Sequence, residues 1–286
     1  MTERPVHPFH AGRFHLRLGH ETKLMGVLNL TPDSFSDGGL FTAPDRALKQ
    51  ALKMEREGAH ILNIGGESSR PGSKPVSAKE EIRRVIPVLK KLGKVIQIPI
   101  SVDTYKYEVA EAALGEGAVI VNDIFALRKD KRMAKLVAKH KAGVVLMHMP
   151  GTPETMQTKT NYRDLLKDIL NYLKKSVTLA LDAGVAKTSI AVDPGFGFGK
   201  TAQQNLEILE RLEAFLKLKM PVLAGLSRKS FIGQTLGVGV EDRLYGSLGA
   251  AAAAVQRGAH ILRVHDVLPH RHVCGILDRA SEARAA

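Results

Sequence analysis

The 286-residue sequence has no tryptophan, one cysteine and only 5% aromatic residues. Its core must therefore be aliphatic, and a lone cysteine excludes an internal disulfide framework. We interpret Cys274 as a small buried side chain of the last helix rather than a nucleophile. No apolar run approaches the roughly 20 residues that span a bilayer, and the first residues lack the apolar segment of a signal peptide. These features predict a cytoplasmic protein without a membrane segment.

Acidic residues are also few: Lys and Arg number 42 against 29 Asp and Glu, a formal charge of +13. Such a balance can indicate nucleic-acid binding. The basic residues are, however, scattered over predicted helix surfaces, and few aromatic residues lie among them. We therefore expect no nucleic-acid partner. Small anionic substrates account equally well for the charge, because a positive potential steers anions.

Apolar runs and helical segments alternate from Lys23 to the end of the chain. Eight runs bounded by turn signals read as buried strands, over residues 23–29, 61–64, 98–103, 119–123, 143–148, 190–193, 222–224 and 261–264. Eight β-α units in about 260 residues predict an α/β protein with one (β/α)8 TIM-barrel domain over residues 1–286. Residues 1–19 precede the first unit as an N-terminal leader. A doubly wound open sheet is the alternative.

Helices are predicted after each strand, near residues 45–58, from Ser77, and over 107–115, 131–140, 162–183, 205–216, 244–257 and from about 271. The segment 244–257 is rich in small residues, which favours close packing and makes it a candidate subunit contact. A polar loop is expected between the seventh strand and this helix.

Polar side chains stand at or just past the end of every predicted strand. The C-terminal strand ends of a barrel form one face, so these groups should converge: Asn29, Asn63, Asp103, Asn122, His148, Asp193, Ser227 and His265. A lone Asp in such a place is often only a helix cap. Asp103, Asn122 and Asp193 together with Lys229 instead suggest a pocket for a flat heterocycle that carries N–H donors and a carbonyl.

A second polar group favours an anion. Ser69-Arg70, the segment 227–230, and Arg263 with His265 supply hydroxyl, guanidinium and imidazole groups, and phosphate sites at the later strands are common in barrels. Strand alternation places Arg263 and His265 on the same inward side; the alternative is a surface Arg and a structural His. Asn29 is a plausible oxygen ligand for Mg²⁺ that also holds phosphate oxygens.

Two other patterns do not support a site. Gly199-Lys-Thr201 resembles the end of a P-loop, but Pro194 stands where the first glycine is required. The histidines at 7, 10, 15 and 20 have no carboxylates or cysteines at ligand spacing, and we interpret them as solvated.

The chain resembles the dihydropteroate synthase family from about Leu24 to Val267. The resemblance lies in segments that occur in the family's order, namely 25–39 (MGVLNLTPDSFSDGG), 65–72 (GGESSRPG), 101–104 (SVDT), 121–124 (VNDI), 146–149 (LMHM), 193–201 (DPGFGFGKT), 227–231 (SRKSF) and 263–267 (RVHDV). Two positions depart from it: Asn63 replaces the usual Asp, which removes a charge, and Ser69 replaces the usual Thr, which keeps the hydroxyl.

That resemblance implies a Mg²⁺-dependent transferase of folate biosynthesis and a sulfonamide target. It would condense 6-hydroxymethyl-7,8-dihydropterin pyrophosphate with p-aminobenzoate, as a cytoplasmic homodimer. Four residues would carry the catalytic step: Lys229, Arg263, His265 and Asp103. Pterin and pyrophosphate would be bound by Ser69, Asp103, Asn122, Asp193, Lys229, Arg263 and His265, with Asn29 helping to hold the metal. The p-aminobenzoate pocket would comprise Phe35, Arg70, Pro71, Phe198, Lys229 and Ser230.

Two rival functions share a pterin cradle. A methyltetrahydrofolate-type methyltransferase would not need the first loop, Ser69-Arg70-Pro71 and Arg263-Val-His265 together. A non-catalytic pterin-binding protein would be expected to lose phosphate-binding residues, and none is missing.

Overall fold

The computed structural model describes residues 4–31 and 43–285. Two short strands come first, β1 (His7–Ala11) and β2 (Phe14–Leu18). Eight parallel strands follow: β3 (Lys23–Asn29), β4 (Ile61–Gly65), β5 (Ile100–Asp103), β6 (Ile120–Asp123), β7 (Gly143–Met147), β8 (Ile190–Asp193), β9 (Leu223–Ala224) and β10 (Ile261–Val264). Within the described residues they form one sheet in the order β8-β7-β6-β5-β4-β3-β10-β9, and a parallel bridge between Val192 and Val222 joins β8 to β9. The predicted (β/α)8 barrel is therefore confirmed.

Helices surround the barrel and bury one face each against it. They are α1 (Ala43–Arg56), α2 (Ala78–Leu92), α3 (Tyr107–Gly115), α4 (Lys131–Lys139), α5 (Leu165–Asp182), α6 (Ala202–Glu210), α7 (Ser230–Leu236), α8 (Leu244–Gln256) and α9 (Val267–Ala285). α7 lies where a polar loop was predicted, and α9 begins four residues before the predicted start. Neither start carries a strong sequence signal: Lys229, the N-cap of α7, makes no side-chain capping hydrogen bond.

Helix α2 shows how local sequence sets these elements. The Ser77 hydroxyl accepts a hydrogen bond from the Glu80 backbone N–H at 3.2 Å, which satisfies one of the free donors of the first turn. Acidic residues in the first turn and basic residues in the last complement the helix dipole. Val85, Val88 and Leu89 are fully or nearly fully buried, so one stripe of the helix packs on the barrel.

A β-hairpin closes the end of the barrel where the strands begin. It comprises β1 (His7–Ala11) and β2 (Phe14–Leu18), so the residues interpreted as a leader are part of the fold. Phe9, Ala11 and Leu18 are at most 1% exposed. They pack on a ring of apolar side chains from seven barrel strands: Met25, Ile61, Ile120, Val145, Ala191, Leu223 and Ile261. We call these seven strand residues the barrel floor.

The prediction that the four N-terminal histidines are solvated is wrong for His7. This side chain is half-buried, its Nε2 atom is buried, and its ring lies 5.2 Å from that of His260. The alternation along β1 turns it toward the protein. His10 is half-buried as well, whereas His15 and His20 are exposed. Among the residues described, no group of three or more His, Cys, Asp or Glu could hold a metal ion.

Cys274 lies on α9 and is 3% exposed. Burial raises the pKa of its thiol to about 12, so the thiolate is disfavoured at neutral pH. This agrees with the interpretation of Cys274 as a small core side chain. None of the helices in the described part of the chain combines the length and apolar character needed to cross a membrane.

Two histidines hold the start of barrel strands. His60 and His260 each follow a Gly-Ala turn, and their Nδ1 atoms accept hydrogen bonds from the backbone N–H groups of Leu24 and Val222, at 3.1 and 3.0 Å. His260 Nε2 lies 2.9 Å from the Pro5 carbonyl, to which it must donate. Only the neutral Nε2–H tautomer satisfies both partners of His260.

We therefore expect acid to destabilise the fold through His260. Burial lowers its pKa to about 4, against about 6.5 in an unfolded chain. Between these values the unfolded state binds more protons, so stability present at pH 7 is lost as pH falls, by about 3 kcal/mol at pH 4. Urea unfolding of the wild type and His260→Asn between pH 7 and 4 would measure this. Asn can still accept from Val222 and does not titrate, so an equally steep loss in the variant would contradict the assignment.

Candidate functional site

The site begins two residues above the barrel floor. Side chains alternate along a strand, so the positions two after Ile61, Ile120, Ala191 and Ile261 also face inward. These positions are occupied by Asn63, Asn122, Asp193 and Arg263. The floor is thus apolar, and the layer above it is polar and lies toward the C-terminal strand ends. Gly225, two after Leu223, leaves space in this layer: a Cβ there would lie 3.9 Å from Arg263 Cβ and 4.0 Å from Asp193 Oδ2.

Asp103 is the centre of a hydrogen-bond network in this layer. Its Oδ2 accepts from Arg263 Nη2 at 2.6 Å and from Asn63 Nδ2 at 3.0 Å. Its Oδ1 accepts from Asn122 Nδ2 at 3.1 Å. The buried Oδ1 atoms of Asn63 and Asn122 have no protein partner among the described residues. A buried acceptor without a hydrogen bond destabilises a protein core. Unpaired acceptors of this kind are typical of a site that binds a ligand with N–H or O–H donors.

Asn63 therefore has a defined role despite its departure from the family pattern. Its amide neutralises no charge, but it donates to Asp103. An Asp at this position would place a second carboxylate within hydrogen-bond distance of the first, and two such groups do not ionise together readily. Because Asn63 is neutral, Asp103 carries the only negative charge of this pair of residues.

Asp193 and Lys229 form the opposite side of the layer. Asp193 Oδ1 accepts from the Gly195 N–H at 2.7 Å. Burial raises the pKa of Asp193, while burial and the Arg263 charge lower that of Lys229. Lys229 Nζ lies 4.1 Å from the centroid of the Phe198 ring, a cation-π contact. The pKa of each group is therefore shifted toward neutral pH, and shifts of this kind are typical of functional sites.

The later strands supply a rim. His265 donates its backbone N–H to Ser227 Oγ at 3.2 Å, and its Nδ1 lies at the same distance from that oxygen. Burial lowers the pKa of His265 to about 3, so its ring is neutral at pH 7. Arg228 in the segment 227–230 is not free to bind an anion, since it pairs with both oxygens of Asp266 at 2.7 and 2.8 Å.

The loop between β4 and α2 carries Ser69, Arg70 and Pro71. Ser69 is half-buried, whereas Arg70 and Pro71 are exposed. Gly72 N–H donates to the Pro153 carbonyl at 3.0 Å, so this loop touches the one after β7. The Arg70 charge contributes to the lowered pKa of Lys229, which places the loop over the same face. Ser230 is exposed at the start of α7. Phe35 lies outside the described residues.

Lys200 belongs to the segment that only partly matches a P-loop, and in the structure it is a buried, hydrogen-bonded residue. It is 4% exposed, and its Nζ donates to the carbonyls of Gly195 and Phe198 at 2.9 and 2.8 Å. His148 Nδ1 lies 3.1 Å away, and burial lowers the pKa of that imidazole to about 2, so it accepts this hydrogen bond as a neutral ring. Lys200 thus holds the segment that carries Phe198. The motif 193–201 contained this residue, but only the fold shows its contacts.

Comparison with known proteins agrees with this geometry. Residues 25–265 match the family of pterin binding enzymes. The chain is 44% identical to dihydropteroate synthase of Clostridium beijerinckii over 268 residues, 93% of this chain and 97% of that protein. Two solved structures of Xanthomonas albilineans dihydropteroate synthase are also similar. One, with 4-aminobenzoic acid, has a TM-score of 0.90 and 41% identity, covering 99% of this chain and 100% of that one.

The other, in complex with 7,8-dihydropteroate, has a TM-score of 0.87 and 40% identity, over 96% of this chain and 99% of that one. Family match, near full-length relatives and matching folds lead to one conclusion. The chain belongs to the dihydropteroate synthase family of pterin-binding enzymes, transferases of folate biosynthesis.

Proposed function

We propose that this chain condenses 6-hydroxymethyl-7,8-dihydropterin pyrophosphate with p-aminobenzoate to give 7,8-dihydropteroate and pyrophosphate. The observation that carries the proposal is the inward polar layer of Asp103, Asn122 and Asp193 with Lys229 beside it. Its carboxylates and open amide oxygen suit the N–H donors of a pterin, and its ammonium suits the pterin carbonyl or a ring nitrogen. Arg263, fixed by Asp103, would pack on the ring.

The pyrophosphate group would lie on the rim, held by Ser69, Arg263 and His265. Neutral His265 can donate one hydrogen bond, and an arriving anion favours its protonated form. The chain also fits Mg²⁺ as this reaction would use it. Mg²⁺ is commonly held by few protein oxygens, with substrate phosphates and water as its other ligands. Asn29, half-buried at the end of β3, offers one such oxygen, and the bound ion would add positive charge beside the leaving group.

The p-aminobenzoate pocket would lie beside the rim. Phe198 and Lys229 form its inner wall, Arg70 and Pro71 cover it from the loop after β4, and Ser230 borders it on α7. Sulfonamides, which resemble p-aminobenzoate in shape, are expected to compete at this pocket.

The reaction requires positioning and charge stabilisation rather than a covalent enzyme intermediate. The amine nitrogen of p-aminobenzoate is neutral at pH 7, so its lone pair can form the new bond to the pterin methylene carbon. The bond from that carbon to the pyrophosphate oxygen breaks, and its electron pair leaves with pyrophosphate. The nitrogen then releases one proton to solvent. Arg263 and His265 would stabilise charge on the departing group, while Asp103 and Asp193 favour positive charge developing on the methylene.

The test is pyrophosphate release by purified protein with Mg²⁺, with and without p-aminobenzoate. The proposal predicts release that depends on p-aminobenzoate, with dihydropteroate in equal amount. Tight pterin binding without product would instead indicate a binding protein or a methyltransferase.

A cytoplasmic homodimer is part of the same proposal. Leu236, Val240 and Tyr245 leave apolar surface exposed around the start of α8, with Tyr245 83% exposed. That surface supports α8 as the subunit contact.

A further inference from the structure

Three buried charges lie next to the site without a role in the reaction above. The Lys106 ammonium donates to Glu67 Oε2 at 2.6 Å and to Glu81 Oε2 at 2.5 Å. Their side chains are only 13%, 8% and 1% exposed. Burial raises the pKa of Glu81, a shift that Lys106 opposes. We call these residues the Lys106 cluster.

The cluster joins both ends of the loop after β4. Glu67 lies at the start of this loop, and its Oε2, besides binding Lys106, accepts from the Val76 N–H at 2.7 Å. One carboxylate oxygen therefore ties residue 67 to residue 76, just before α2 begins. Ser69, Arg70 and Pro71 lie between these ends, so the cluster sets where the loop leaves and rejoins the barrel.

The other two members anchor this tie to rigid elements. Lys106 is the N-cap of α3, and its Nζ lies 4.8 Å from the centroid of the Tyr105 ring. Glu81 is in α2, which packs closely on the start of the loop: a Cβ at Gly66 would lie 3.0 Å from Glu81 Cγ. The base of the loop is thus bonded to two helices that pack on the barrel.

We propose that Glu67, held by Lys106, is a positioning residue that places Arg70 and Pro71 over the p-aminobenzoate pocket. This inference rests on the proposed function. The pterin pocket does not depend on the cluster, because it is built from strand ends and Lys229. Loss of the tie should therefore affect p-aminobenzoate and, through Ser69, the pyrophosphate group, and leave the pterin ring bound as before.

Glu67→Ala tests the proposal, because Lys106 keeps Glu81 as its partner and the barrel side of the cluster stays paired. We expect KM for p-aminobenzoate to rise by about tenfold or more, with a smaller change in kcat and unchanged binding of 6-hydroxymethylpterin. Glu67→Gln keeps a side-chain oxygen for Val76 and should restore most of the affinity. Glu116→Ala, which removes a half-buried partner of Lys90 at 3.3 Å, is the matched control and should behave as wild type.

Amide hydrogen exchange gives a readout that needs no substrate. Exchange in residues 68–76 should quicken in Glu67→Ala and stay slow in Glu67→Gln. Unchanged exchange and KM in Glu67→Ala would overturn the inference, as would an equal loss of pterin binding, which a general structural role predicts. If the wild type makes no dihydropteroate, the proposed function fails, and the exchange experiment still decides whether Glu67 fixes the loop.

Discussion

Replacement of Lys229 by Ala should abolish turnover without unfolding the barrel. Its ammonium lies over the Phe198 ring and shares the pocket with Asp193 and Asp103, whose charges act on it. In the proposed reaction it meets both the pterin and the p-aminobenzoate pocket. Removal of a donor positioned in this way lowers kcat by about 10²–10³-fold. Weaker substrate binding adds to this loss, so we expect kcat/KM to fall by about 10³-fold or more.

The measurement is dihydropteroate formation by Lys229→Ala at saturating and limiting substrate, with thermal unfolding recorded on the same sample. Lys217→Ala, an exposed lysine before β9, is the matched control and should retain full activity. Turnover within a few-fold of wild type in Lys229→Ala would remove this residue from the site. Loss of both activity and the unfolding transition would show a structural role instead.

Asp103→Asn should lower both activity and stability, because Asp103 serves three donors at once. An amide in its place presents its own N–H₂ group to at least one of these donors. Arg263 then loses its only carboxylate among the described residues. Removing one partner of a largely buried ion pair lowers the free energy of unfolding, here by about 2–3 kcal/mol because the pair is partly exposed. The pterin would also lose one of its two anionic partners, so we expect its affinity to fall about 100-fold.

A second buried Arg–Asp pair provides the control. Arg4 and Asp278 are joined at 2.6 Å with side chains 7% and 12% exposed, against 2.6 Å and 17% and 13% for Arg263 and Asp103. Asp278 belongs to α9 and also accepts from Thr22, just before β3, away from the site. Asp278→Asn should lose similar stability yet keep pterin affinity and turnover. If both variants keep pterin affinity, Asp103 is structural only.

The barrel and most of the polar layer could be predicted from sequence because they depend on local periodicity. The bounds of the first, sixth and eighth barrel strands, Lys23–Asn29, Ile190–Asp193 and Ile261–Val264, agree with prediction. Each is an apolar run between turn signals, and a strand's alternation also fixes which end groups face inward. A polar residue at the end of such a run can therefore be recognised from the sequence alone.

Features that depend on distant contacts could not be predicted. The hairpin strands β1 and β2 are short and rich in His, and their buried residues contact side chains from strands throughout the chain. The Lys106 cluster joins residues 25 and 39 positions apart in sequence. Likewise, Lys200 looks like a surface lysine until the loop of residues 195–199 folds around it. In each case the partner is chosen by tertiary structure, not by a local pattern.

The hairpin that covers the barrel floor also constrains the order in which the chain can fold. During synthesis its residues leave the ribosome before every strand they contact, including β9 and β10, which begin more than 200 residues later. Phe9 and Leu18 therefore have no complete binding surface until β10 has been synthesised. We infer that the hairpin docks as one of the last steps of folding. Until then the apolar side chains of the barrel floor remain uncovered, and exposed apolar surface of this kind favours aggregation.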